Sequence, residues 1–147
     1  MAKTGFWLQG AKGKLRNNNP LNIRIGNDWV GEVSHPTDKD FEQFEKMSYG
    51  VRAAFIILHN YIVRHKLTTV PEIIHRWAPN NENNTKKYVE TVLNRMNFEP
   101  QQEISWWNKD VMCNLFQAMC YVENGCVIDD CVVKEGYDLA VGQWKPI

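Results

Sequence analysis

Apolar and polar residues are arranged with two different periods along this chain, and the change falls near Ser48. Upstream of it, hydrophobic positions come in short groups: Ile23 and Ile25, then Trp29, then Phe41 and Phe44. Asn17, Asn18 and Asn19 followed by Pro20 cannot lie inside a helix, because asparagine side chains compete for the backbone and proline drives the preceding residue towards extended geometry. Ile23 and Ile25, the two-residue Gly26-Asn27 connection and Trp29 predict a tight hairpin with a type II′ turn. Ser34 to Asp40, with Pro36, reads as a polar loop, and Phe41 to Phe44 as a short third strand or edge segment. The expectation for this part is a small antiparallel sheet.

From Ser48 the spacing is helical. Val51, Ala54, Phe55, Leu58, Tyr61, Ile62 and His65 recur at three and four residues and predict the longest, most apolar and central helix. Thr69-Val70-Pro71-Glu72 has the form of a capping box, in which the Thr69 hydroxyl and Glu72 carboxylate satisfy unpaired backbone N–H groups. Ile73, Ile74 and Trp77 give that short helix its apolar face, and Pro79 closes it. A polar loop follows from Asn80 to Asn84, then an amphipathic helix from Thr85 to about Met96 with Tyr88, Val92 and Met96 on one face. Asn108 suits the N-cap of a further helix carrying Val111, Met112, Leu115, Phe116, Met119 and Val122, and Gly125 suits its left-handed C-cap. The last twenty residues read as irregular. The fold class is therefore α+β, mainly helical, with residues 1–15 as an irregular arm and 16–147 as one domain.

Composition narrows the function. A chain of 147 residues fits one domain. Its 17 basic and 17 acidic residues cancel, so it lacks the global charge of a nucleic-acid binder. Lys3, Lys12, Lys14 and Arg16 form a local basic patch, either a solubilising arm or an attraction to an anionic polymer such as a bacterial wall. The longest apolar run, Ala53 to Leu58, is far below the roughly 20 residues of a membrane span. The opening stretch has no secretory apolar region. The protein is thus expected to be made and kept in the cytoplasm, or to leave by a route its own sequence does not encode. The spacing of Cys113, Cys120, Cys126 and Cys131 fits no zinc pattern, and reduced, mostly buried thiols are expected. No metal, nucleotide or redox cofactor is implied.

RNNNPLNIR, then the W-x-G-E at Trp29 to Glu32, the F-x-x-F-x(5)-G-x-R-A stretch from Phe41 to Ala53, and RWAPNNENNTKKYVETV together resemble a family of small phage-encoded proteins. These are usually called virion or structural proteins and are considered similar to the lysozyme-like superfamily. The resemblance spans about Arg16 to Val92, with Leu21 where the family usually has glycine and Asn80 where it usually has a second proline. It implies a lysozyme-like domain, peptidoglycan glycan strands as partner, and association with virion subunits. Asn18 to Arg24 also resembles the N-N-L-F-G-I-K segment of bacterial glucosaminidases. Glu82 to Val89 resembles the E-T-x-x-Y-V segment of lytic transglycosylases, whose tyrosine lies in the substrate groove. In those enzymes an E-S-G glutamate at a helix end precedes the sheet. Here no acid precedes Asp28, and Glu123-Asn124-Gly125 looks like that terminus displaced to the C-terminal side.

This implies a peptidoglycan-cleaving glycosidase, a muramidase or a lytic transglycosylase, with Glu123 as candidate acid. A glycosidic leaving oxygen needs a proton, and a desolvated carboxyl in the last turn of a helix is suited to hold one. Glu32 is the candidate second carboxylate, and Glu82 a third acid that orients its loop or meets substrate. Asn19, Asn22, Trp29, Arg76, Trp77 and Tyr88 are the candidate sugar-binding residues, because amides bond hydroxyl and acetamido groups and aromatic rings stack on sugar faces. The bland readings stand beside these: Glu123 solvated beside its cap, Glu32 an exposed strand residue, Trp77 a core residue and the asparagines satisfying their own turn. The alternative function is a non-catalytic peptidoglycan-binding or virion structural protein.

Overall fold

The computed structural model of the chain describes residues 15–79 and 82–144, with the side chains of 82 and 83 also outside the description. The expected basic arm therefore lies outside the described residues, Leu15 and Arg16 excepted. Among the described residues five α-helices follow one another: α1 (Met47–His59), α2 (Val70–Trp77), α3 (Glu82–Met96), α4 (Lys109–Asn124) and α5 (Asp130–Val141). A single π-helical turn, Asn60–Arg64, prolongs α1.

Helix α1 is central because it is apolar nearly all round. Ala53, Ala54, Phe55, Ile56, Ile57 and Leu58 are all buried, as expected of a helix enclosed by others. The Phe55 ring meets Trp106, Phe116 and Tyr137, with centroids 6.3, 5.2 and 5.3 Å away. The Tyr137 hydroxyl donates to the Trp106 carbonyl at 2.7 Å. Helix α5 lies along α1, and α3 packs between α2 and α4. The helix boundaries follow local chemistry. Thr69 and Glu72 form the capping box of α2, and the Asn108 side chain accepts from Val111 N–H at the start of α4. Gly125 closes α4 in the left-handed region, at φ 76°. The Thr85 hydroxyl donates to the Ala78 carbonyl, tying the first turn of α3 to the end of α2.

Two expectations are corrected. The α+β, lysozyme-like class with a small N-terminal antiparallel sheet gives way to a helical architecture: among the described residues there is no strand, only the isolated bridges Arg24 to Phe41, Glu32 to Phe44 and Thr69 to Glu103. Residues 23–25 pair with 40–42, not with Trp29, and the positive φ falls on Gly31, not Gly26. The physical reason is competition from side chains. Asn17, Asn18 and Asn22 are left-handed, at φ 69°, 52° and 55°. Gln43 accepts from the backbone of Thr37 and Asp38, and Asp38 accepts from Asp40 and Phe41. Backbone groups that a ladder would use are thus satisfied locally. The second correction is the chain end: residues 130–141 are helical, capped by Asp129 accepting from Cys131 N–H. The four cysteines are free thiols, Cys113 and Cys120 buried, Cys126 and Cys131 exposed. No helix among the described residues is long and apolar enough to cross a membrane.

Two stability predictions follow from this packing. A methyl on Gly136 would lie 2.4 Å from Val51 Cγ1 and 2.6 Å from Val51 Cβ. Overpacking costs about 1–3 kcal/mol, against at most about 1 kcal/mol gained in helix propensity. Gly136→Ala should lower stability in urea unfolding; a more stable Gly136→Ala would show that α1 and α5 do not meet there.

Burial pushes the Asp38 carboxyl up, but backbone N–H groups of Asp40 and Phe41 and the side chains of Asn17 and Arg16 together outweigh it, holding its pKa at about 2 against 3.8. A depressed carboxylate pKa stabilises the fold above the unfolded value, and the gain disappears as pH falls through the folded one. Asp38→Asn should therefore cost about 1 kcal/mol above pH 4, the shift being reduced by solvent screening, with the difference from wild type closing towards pH 2 in pH-dependent urea titrations.

Candidate active site around Glu123

The turn at residues 15–23 is laid against the end of α4 by a set of buried amides. Asn19 is 1% exposed and closes the turn on itself: its Oδ1 accepts from Ile23 N–H at 2.9 Å, and its Nδ2 donates to the carbonyls of Ile23 at 2.9 Å and Glu42 at 3.0 Å. Asparagine tolerates left-handed backbone better than other side chains, so Asn22 can turn its amide out of the chain direction towards the helix end. Its Nδ2 donates to Glu123 Oε1 at 2.9 Å. From α3, the Tyr88 hydroxyl donates to Glu123 Oε2 at 3.0 Å. Glu123 and Tyr88 are both 0% exposed. Three segments separated by 101 and 35 positions thus meet on one carboxyl group.

The electrostatics of this cluster are opposed. Burial and the negative end of α4 disfavour charge on Glu123, while a donor on each oxygen favours it. Burial, then the adjacent Glu123 charge, pushes the Tyr88 hydroxyl well above its ordinary value, so it remains protonated and stays a donor. Beneath the pair lies Cys120, whose thiol burial raises to about 12, leaving it without thiolate reactivity at neutral pH. Chemically, the arrangement holds one oriented carboxyl out of water. Among the described residues no group of three or more His, Cys, Asp or Glu gathers as metal ligands.

Of the residues singled out from the sequence, the fold brings together Asn22, Tyr88 and Glu123 and distributes the rest. Asn19 is spent inside the turn. Trp77 is fully buried, edge-on to Tyr61 at 6.2 Å, and the Arg76 guanidinium lies 5.6 Å from the same Tyr61 ring. Trp29 is half-buried against the core. Glu32 is also half-buried, and its Oε2 accepts from Trp29 N–H at 2.6 Å. Glu82 begins α3, and its side chain lies outside the described residues.

One acid escaped sequence reasoning. Glu42 is 5% exposed, its carboxyl near the backbone N–H groups of Gly26 and Asn27, while its buried Oε2 has no hydrogen-bond partner among the described residues. Burial, then the nearby Glu32 charge, raises its carboxyl above the ordinary value. Nothing in DFEQFE distinguishes it from Glu45, which is exposed.

No family model matches the chain. Among known proteins it is similar to Protein P5 of Pseudoalteromonas phage PM2, at 39% identity over 121 residues, covering 80% of this chain and 73% of the relative. At that identity and coverage, this chain belongs to the same family as the phage protein.

Proposed function

We propose that this phage-family protein cleaves the glycan strands of bacterial peptidoglycan, with Glu123 as general acid. The observation that carries the reading is the convergence of Asn22, Tyr88 and Glu123 on one buried carboxyl. These residues come from three separate motifs that resemble parts of glucosaminidases and lytic transglycosylases. In this reading Asn22 and Tyr88 orient the carboxyl, and protonated Glu123 gives its proton to the glycosidic oxygen as the C–O bond breaks. The resulting cationic sugar is captured by water, giving a reducing end, or by the substrate's own hydroxyl, giving an anhydro end. Glu32, half-buried, and Glu42, buried, are the candidate carboxylates to stabilise the cation.

A second reading has an observation of its own. Glu123 has no exposed surface, and a carboxyl that never meets solvent also serves as a strut between the turn and α4. This reading makes the protein a non-catalytic wall-binding or virion component.

Digestion of purified peptidoglycan, with mass spectrometry of the released fragments, separates them. Wild type should release fragments, and Glu123→Gln should reduce release about 10²- to 10⁴-fold while melting as a folded protein; Glu32→Gln, Glu42→Gln and Glu82→Gln reveal whether a second acid acts. A folded wild type that pellets with the wall but releases nothing would sink the enzyme reading. The strut makes its own prediction: Tyr88→Phe removes one donor from a buried carboxyl and should cost about 1–3 kcal/mol in urea unfolding, and an unchanged midpoint would show that Tyr88 does not hold Glu123.

A further inference from the structure

Asn124, next to the proposed acid, is tied both to its own helix and to the N-terminal turn. It is 8% exposed. Its Nδ2 donates to the Pro20 carbonyl at 2.7 Å and to the Cys120 carbonyl at 3.0 Å, and its Oδ1 accepts from Leu15 N–H at 3.3 Å. The bond to Cys120 fixes the side chain on its own helix. The bonds to Leu15 and Pro20 then grip the turn on both sides of Asn17–Asn19, two residues before Asn22.

The turn also rests on α1. A Cβ on Gly50 would lie 1.9 Å from the Asn18 carbonyl oxygen and 3.2 Å from Pro20 Cδ, so glycine is required there for the backbones to approach. The turn therefore touches both α1 and α4, and Asn124 is one of the side chains that bind it to α4.

We propose that Asn124 is the positioning residue of the site, holding the Pro20 turn against α4 so that the Asn22 amide meets Glu123. The inference rests on Glu123 being the reacting acid for its catalytic consequence, but not for its structural one. It assigns Asn124 no contact with substrate and no part in proton transfer. Its effect passes through the Asn22 amide alone, so removing Asn124 and removing Asn22 should not have independent effects.

The test combines two readouts on wild type, Asn22→Ala, Asn124→Ala and the double variant. The first is hydrogen exchange of the Asn22 side-chain amide by NMR, with α1 backbone amides as the control for global stability. Asn124→Ala should lower Asn22 amide protection roughly tenfold, the effect of losing about one hydrogen bond, with α1 protection falling less. The second readout is peptidoglycan cleavage: Asn124→Ala should slow it roughly 10- to 100-fold, as expected of a displaced catalytic group, and the double variant should be no slower than Asn22→Ala. Should Asn124→Ala fail to fold, Asn124→Ser takes its place, keeping a donor for the Cys120 carbonyl but too short to reach Pro20. Unchanged Asn22 protection in the folded variant, or rate effects that multiply in the double variant, would overturn the proposal. A wild type that cleaves nothing would remove the acid assignment, and the exchange readout would then decide the positioning by itself.

Discussion

A carboxyl group sealed from water must be matched by donors or carry a proton, and at Glu123 residues 22 and 88 each supply a donor. Stranding such a group costs far more than its bonds return, so the requirement propagates outwards. Asn22 must lie left-handed, Asn19 must close the turn behind it, and the Pro20 carbonyl must find a donor at the helix end. Tyr88 must come from a helix held at a fixed position, which the Thr85 hydroxyl secures by bonding to the end of α2. The polar node thus specifies how the N-terminal turn, α3 and α4 meet, while the aromatic contacts of Phe55 supply apolar attraction with less directional demand.

Close approach is the complementary device. Gly50 admits the turn to the surface of α1, and Gly136 admits Val51 to α5. One brings backbone to backbone, the other side chain to backbone. Helix α1 can therefore be enclosed on most sides, which is why a helix with so continuous an apolar surface is stable here. The same two glycines weaken the helices locally by about 1 kcal/mol each relative to alanine, a loss that packing offsets.

The helix ends were legible because capping is local: Thr69 with Glu72, Asn108 and Gly125 each act within a few residues. Helix α5 was hidden although its buried positions, 133, 136, 137, 140 and 141, follow helical spacing. One of them is Gly136, which has no apolar side chain to mark the stripe and is explained only by Val51, far away in sequence. Alternation over three or four residues suggests a sheet, but it cannot reveal that Asp38, Gln43 and the asparagines take the backbone partners a ladder needs. At the site, Asn22, Tyr88 and Glu123 were marked by motif resemblance, whereas their meeting was a tertiary fact. Glu42 was invisible, since its burial arises from the crossing of 23–25 with 40–42 and not from its neighbours.

The distance along the chain between Asn22 and Glu123 also orders events during synthesis. A ribosome delivers the turn early and the end of α4 late, so the pocket for the carboxyl exists in no shorter nascent chain. Until α4 emerges, the Pro20 carbonyl and the Asn22 amide remain hydrated by solvent, and the turn has nothing to rest on but α1. Loop closure over 101 positions is entropically slow compared with formation of any single helix. The cluster therefore forms only once α4 has been made, ahead of α5 in the order of synthesis, and whatever chemistry it performs is withheld from shorter nascent chains.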